Sequence, residues 1–385
     1  MKRLCLFFFF VVLLLGISSV HLTVAAESET TSSLDEMPDE YGDFLDAIPD
    51  DLRDRLPDGL FSDDPLEVGD AVGEMTNFTS LLRSLLSLVG LKLGDCISIL
   101  ASVCGLLILS AVCNTLKTSF RSETVARAFS FCATLVITLS LLTQSYRSLE
   151  AVTEYFQNLG IVTSATLPLM SALYAMGGNV SAAVAASSGL SIFMTLLETL
   201  IGKSIVPFCG ICMAFALVNA LDPSLRTGTL LSTIKKNYTT ALAFVMMLLL
   251  AMLSAQNTLA ARSDTLLMRS AKFAVGNMIP VVGGSVSELL RTVSTGVGYL
   301  RGTVGICGIL LLLYMLLPTL VELLLLRATW QLSASLADLL GCDGQKKLLD
   351  EFASLLGYLL TAVCICSSVL LLSLSLLTRC ASAIG

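Results

Sequence analysis

The sequence predicts an all-α, polytopic integral membrane protein of about eight transmembrane helices, with an acidic extracytoplasmic segment ahead of them. Three observations carry the prediction. Of 385 residues, 55% are hydrophobic and 14% are charged, against about 25% charged in a typical soluble domain. Runs without Asp, Glu, Lys or Arg recur at 96–116, 128–146, 204–221, 237–261, 302–321 and 352–378, and 43 uncharged residues separate Glu154 from Glu198. A hydrocarbon core of about 30 Å takes about 20 helical residues to cross, so these runs have spanning length. They are rich in Leu, Ala, Val, Ile and Met without strict alternation, a pattern of helices rather than of a membrane barrel.

Residues 1–26 read as a signal peptide: Lys2 and Arg3, an apolar block from Leu4 to Gly16, and Val24-Ala25-Ala26 before an abrupt acidic region. An uncleaved anchor is the alternative, and both place the next segment outside the cytoplasm. Residues 27–92 form the acidic extracytoplasmic segment. From Glu27 to Glu74 there are 17 acidic residues and two basic ones, whereas beyond residue 74 bases outnumber acids 19 to 13. The net charge of −7 therefore averages two unlike regions and offers nothing to nucleic acid. Pro38, Pro49, Pro57 and Pro65 break the acidic stretch into short pieces with the composition of a loosely folded region. From Phe78 to Val89 apolar residues and Arg83, Ser84 and Ser87 separate onto two sides. This is an amphipathic helix, either lying in the interface or packing on the membrane body.

Residues 93–385 form the multi-span domain. The first crossing ends near Lys117, so that Arg121 and Arg127 fall in a cytoplasmic loop, and the second ends at Tyr146-Arg147. Gly177-Gly178-Asn179 divides the uncharged stretch into a hairpin of two helices. Arg226, Lys235 and Lys236 come after the next crossing as loop charges. Tyr146, Tyr238, Tyr299 and Trp330 fall near predicted helix ends, as interface aromatics do. Residues 258–301 hold Arg262, Arg269, Lys272, Arg291 and Arg301 on the side the span count makes external, against the positive-inside rule. A broken or re-entrant segment is expected near 272–290, and a hidden crossing or re-entrant segment around 273–286 would change the orientation of the last two spans.

The sole histidine, His21, lies in the predicted signal. A mature chain then has no Ser-His or Cys-His pair, no histidine metal site and no histidine proton relay. No Gly-x-x-x-x-Gly-Lys-Ser/Thr phosphate loop is present, and Asp95, Asp222, Asp264 and Asp338 sit at ends or in loops, unlike a facing pair of intramembrane aspartates. Neither catalysis nor a cofactor is expected. Most cysteines, Cys209 and Cys212 among them, lie within apolar runs as small buried residues. Glu198 and Glu322 are candidate intramembrane carboxylates, which are costly and mark function by default. Their alternative is to reach the interface from a helix end, Glu198 beside Lys203 and Glu322 beside Arg327. Arg262, Arg269 and Lys272 share one helical face and form a candidate basic stripe for anionic lipid, an acidic partner or an aqueous passage, or a plain solvated face. Gly276, Asn277, Pro280, Gly283 and Gly284 interrupt an apolar stretch. Such a break inside a membrane is either a packing joint or part of a pathway.

The Gly-Asn-x-x-Pro-Val-Val-Gly-Gly-Ser core within Lys272–Arg291, the stretch from Ser188-Gly-Leu-Ser191 to Pro207, and the order of signal, acidic stretch and membrane body resemble the stage III sporulation protein AE family. The resemblance implies a polytopic protein of endospore-forming bacteria, in the mother-cell membrane that engulfs the forespore. It also implies an assembly of membrane proteins, described as a channel or feeding apparatus, with a separate ATPase subunit and a role in late forespore gene expression. No catalytic residues come with it. A self-sufficient secondary transporter and a structural scaffold of the same complex are the rival readings.

Overall fold

Hydrocarbon offers no water to backbone N–H and C=O groups, so each apolar run has to close its own hydrogen bonds as helix. In the computed structural model of the chain the described runs do so. The structure describes residues 40–49, 53, 56–62, 65–76, 78–116, 123–176, 180–221, 227–278 and 283–382, and for 259–301 the backbone alone. The expected signal at 1–26, the acidic residues up to 39, and Pro280 lie outside them. Nine α-helices occur in order among the described residues: α1 (Glu40–Asp46), α2 (Pro65–Thr76), α3 (Phe78–Leu116), α4 (Glu123–Met176), α5 (Val180–Leu200), α6 (Val206–Leu221), α7 (Thr227–Met278), α8 (Gly283–Leu339) and α9 (Asp343–Ser382). A 3-10 turn, Asp58–Phe61, precedes α2, and a π-helical turn, Ile201–Ile205, joins α5 directly to α6. The described residues contain no strand.

Among the described residues, five helices are long and apolar enough to cross a membrane. Their apolar stretches are Leu86–Val112, Thr134–Met176, Leu231–Gln256, Gly302–Leu339 and Asp343–Ser375. Two shorter apolar stretches among the described residues are Ser188–Leu197, on α5, and Lys203–Val218, which starts within the π-turn and runs along α6. The described residues do not confirm the expected count of about eight, and two features of the helices bear on it. The runs 128–146 and 159–176 belong to one helix, α4. The charges between them, Arg147, Glu150 and Glu154, are exposed at helical spacing, while Ser148, Leu149, Val152, Tyr155 and Phe156 are buried. The charges thus occupy one face of a helix that continues past them. The runs on α5 and α6, counted as two separate spans, lie on helices of 21 and 16 residues joined without a break by the π-helical turn.

Helices α4, α7 and α8 have 54, 52 and 57 residues, a contour length of about 80 Å each at about 1.5 Å per residue. Each outreaches a hydrocarbon core of about 30 Å. The amphipathic stretch at 78–89 and the first crossing form the single helix α3.

The α8–α9 hairpin is the centre of the bundle. Its apolar stretches are mostly buried, whereas those of α3 and α7 mostly face outward, with Leu91, Ile97, Phe244 and Met247 exposed as lipid-facing residues would be. Helix α3 packs on α8, α7 on α9, α4 across both, α6 on α9, and α5 against α4 and α7. The hairpin turn is only Leu340–Cys342. Gly341 adopts φ 69°, its N–H donates to the Asp338 carbonyl at 3.1 Å, and the Cys342 N–H donates to that of Ala337 at 2.8 Å. That pair of bonds is the Schellman C-cap, which needs a left-handed residue where glycine alone has no Cβ penalty. Lys346 Nζ reaches back across the turn to Asp338 Oδ1 at 2.7 Å.

Residues 40–76 contain a small folded cap within the acidic stretch. Tyr41, Phe44, Ile48, Leu60, Val68, Val72 and Met75 are buried together, and the Tyr41 hydroxyl donates to the Leu60 carbonyl at 2.7 Å. Helix α1 packs on α4 and α2 on α8. The acids dominate composition without preventing folding, because apolar residues at helical spacing supply an inner face. Trp330, expected at an interface, is instead fully buried, because α8 runs on for nine residues beyond it.

Candidate functional site: charged pairs inside the bundle

Two charges that border apolar runs in the sequence meet inside the protein. Lys235 stands just before the run on α7, and Glu351 just before the run on α9. Because α7 packs along α9, the Lys235 ammonium and Glu351 Oε2 lie 3.2 Å apart, with side chains 10% and 21% exposed. Lys235, expected in a cytoplasmic loop, is therefore a buried helical residue. One turn on, Tyr238 stacks on Phe208 of α6 with ring centres 4.3 Å apart and planes at 15°. Tyr358, two turns beyond Glu351, completes an aromatic trio at 5.0 Å from Phe208 and 5.7 Å from Tyr238. Ser204, in the π-helical turn, shares a hydrogen bond with the Tyr238 hydroxyl. Cys209 and Cys212 are buried on the same helix as free thiols. Single π-turns inside helices occur often at functional sites, and here one borders a well-sheltered ion pair.

A second pair joins α3 to α8. Lys92 Nζ lies 2.7 Å from Glu322 Oε2, with side chains 40% and 32% exposed. Glu322, one of the two candidate carboxylates, thus has Lys92 rather than Arg327 as its cation. Arg327 lies across Gly357 of α9, where an added Cβ would stand 3.0 Å from its Cζ. At the hairpin end, Gln345 Nε2 donates to Ser110 Oγ at 3.1 Å and to Thr134 Oγ1 at 3.2 Å, tying α9 to α3 and α4. Further along, the Tyr155 and Ser367 hydroxyls bond at 2.9 Å between α4 and α9.

Charge in low dielectric is stable only when paired and hydrogen-bonded, and such pairs fix register more than they add stability. The sheltered Lys235–Glu351 pair suits that role. Lys92–Glu322, being half open, is accessible to solutes and headgroups. Among the described residues no three His, Cys, Asp or Glu side chains converge as a metal site.

The remaining residues singled out from the sequence occupy other places. Glu198 is on α5, with its side chain outside the described residues. Gly276 and Asn277 end α7, and Gly283 and Gly284 begin α8. Arg262, Arg269 and Lys272 succeed one another on α7, described as backbone only. Sequence reasoning did not single out Lys92 or Glu351, took Lys235 for a loop charge, and named Arg327 only as a neighbour of Glu322. A charge succeeded one turn later by Tyr, as at Lys235 and Tyr238, was the available signal.

Buried ion pairs in long apolar helices fit many membrane proteins, and sequence comparison decides among them. The family profile described as Stage III sporulation protein AE matches residues 68–381, most of the chain. The chain belongs to the stage III sporulation protein AE family. It is 26% identical over 275 residues to the Stage III sporulation protein AE of Bacillus subtilis (strain 168), covering 71% of this chain and 68% of that one. No solved structure matches. The match to the family begins in α2 and ends in α9, so both ion pairs, the hairpin and residues 276–284 fall within it. Family membership places the chain in sporulation.

Proposed function

We propose that the chain is a non-catalytic membrane subunit of the channel or export apparatus that links mother cell and forespore, required for late forespore development and gene expression. Family membership is the observation that carries this reading. The described architecture supports it: five helices of spanning length, contour lengths well beyond a bilayer, and charged pairs within the bundle. In this reading the protein sits in the mother-cell membrane facing the forespore, reaches it by an N-terminal signal, and works beside other membrane proteins of the complex and a separate ATPase subunit that supplies energy. The stretch 276–284, which carries Asn277, Pro280 and the Gly283–Gly284 pair in the sequence, then serves as passage lining or subunit joint.

The test has two parts. Deletion of the gene in the sporulating host is expected to arrest forespore development after engulfment, with rescue by the intact chain; normal spores from the deletion strain would sink the proposal. Substituted-cysteine labelling across 258–301, in a background without native cysteines, is expected to find aqueous access near Asn277 and Gly283. A secondary transporter would instead move a solute under an ion gradient when reconstituted alone. A scaffold would lose assembly when residues 27–75 are removed, yet show no labelled path.

A further inference from the structure

The outward side of α4 is polar along its middle. Thr143, Arg147, Glu150, Glu154 and Gln157 are all exposed, and at about 3.6 residues per turn they fall within one narrow arc of the helix. Behind them Ser148, Leu149, Val152, Tyr155 and Phe156 are buried against the bundle. Among the described residues Arg147, Glu150 and Glu154 have no ion-pair partner. The depth of this face follows from the contacts of α4 with α9. Gln345 bonds Thr134 across a separation of 211 residues and Tyr155 bonds Ser367 across 212, so the two helices run parallel in constant register. Tyr155 adjoins Glu154 in the chain, and on its register Arg147, Glu150 and Gln157 stand beside residues 359, 362 and 369 of α9. Residues 352–378 of α9 carry no charge. A hydrocarbon core takes about 20 helical residues to cross, and a window of that length contains residues 359–371 wherever it is set within this run.

Lipid does not suit such a face. Phe244 and Met247 of α7 lie beside the same part of α9, since Lys235 meets Glu351 and Tyr238 meets Tyr358, and they are the exposed apolar residues that hydrocarbon requires. At matching depth α4 offers a guanidinium, two carboxylates and an amide. Arg147, at the edge of the shared window, has the length to reach an interface, but Glu150 and Glu154 are too short to do so from within it. Ionised side chains at membrane depth face a bundle interior or a water-filled cavity and mark ion pathways, and a wall with surplus carboxylate selects cations. We propose that the Thr143–Gln157 face of α4 borders water inside the membrane, as one wall of a hydrated passage that favours cations. One helix makes one wall, and the face stays open to water whatever stands opposite it. This requires the chain to cross a membrane but not the apparatus proposed above, so a deletion strain that sporulates normally would leave it standing.

The test compares variants of the full-length chain, Gln157→Cys and Glu150→Cys on this face with Phe244→Cys and Met247→Cys on α7, the parent's own cysteines setting the background. Host membranes are opened by freezing and thawing, so that a cationic, membrane-impermeant methanethiosulfonate reaches both surfaces. Both α4 positions should react about tenfold faster or more than both α7 positions, because the reactive thiolate forms in water and not in hydrocarbon. Labelling of the α4 positions no faster than of the α7 positions means that lipid or a protein partner covers the face, and overturns the proposal. Fast labelling at all four positions puts this part of the bundle outside the hydrocarbon and overturns it equally. At Gln157→Cys the cationic reagent should outpace its anionic counterpart, and adding Glu154→Gln should lower that ratio about threefold to tenfold, the effect of removing one charge about a helix turn away. A ratio that Glu154→Gln leaves unchanged overturns the cation preference.

Discussion

Replacing Lys235 by Met leaves the Glu351 carboxylate without its cation, and the structure sets the scale of the damage. Breaking a fully buried pair from one side costs about 3–5 kcal/mol, and an exposed pair contributes about 0–1 kcal/mol. With side chains 10% and 21% exposed, this pair lies near the buried limit, so either Lys235→Met or Glu351→Met should cost about 2–4 kcal/mol. At about 2–4 °C per kcal/mol, the melting temperature in detergent should fall by roughly 5–15 °C. The double substitution removes both charges and leaves two apolar side chains among Leu, Phe and Tyr. It should recover much of the loss, with a coupling of about 1–3 kcal/mol in a double-mutant cycle. The assay is thermal unfolding of the four proteins, monitored by near-ultraviolet circular dichroism, which reports the Phe208–Tyr238–Tyr358 trio beside the pair. Single variants within about 0.5 kcal/mol of the parent, or costs that simply add, would refute the claim that the pair holds α7 in register on α9.

The hairpin leads to two further outcomes. Gly341→Ala places a Cβ at φ 69° and should cost about 1–2 kcal/mol, whereas Gly341→Asn should cost less because Asn tolerates that region; thermal unfolding distinguishes them. Gln345→Leu removes the donor shared by Ser110 and Thr134 and should cost about 1–3 kcal/mol, with faster proteolysis between α3 and α4 as the second readout.

Composition alone made the helices legible. An uncharged run such as 302–321 has no other way to satisfy its backbone in hydrocarbon, and it lies within α8. The expected interruption at Gly177–Asn179 lies outside the described residues, between Met176 of α4 and Val180 of α5. The continuity of α4 was not legible, because counting charges ignores where they point. Arg147, Glu150 and Glu154 look like a loop in one dimension and form one face of a helix in three. The charged pairs were hidden for a different reason. Lys235 and Glu351 are 116 residues apart, and Lys92 and Glu322 are 230 apart, so nothing local in the sequence signals that they meet. Arg327 and Glu322 share a helix turn's neighbourhood, and proximity along the chain suggested a partnership that packing gave to Lys92.

The tight Leu340–Cys342 turn has a consequence for how the protein is made. The hairpin that forms the middle of the bundle is synthesised after the helices that surround it. Until α9 leaves the ribosome, Lys235 has no carboxylate, Ser110 and Thr134 have no amide donor, and Tyr155 has no hydroxyl across from it. The earlier helices must wait in the bilayer as a loose, polar-studded ring, and assembly completes from its last segment inward. A stop codon shortly before α9 would leave a ring without its hub, and membrane quality control should clear it.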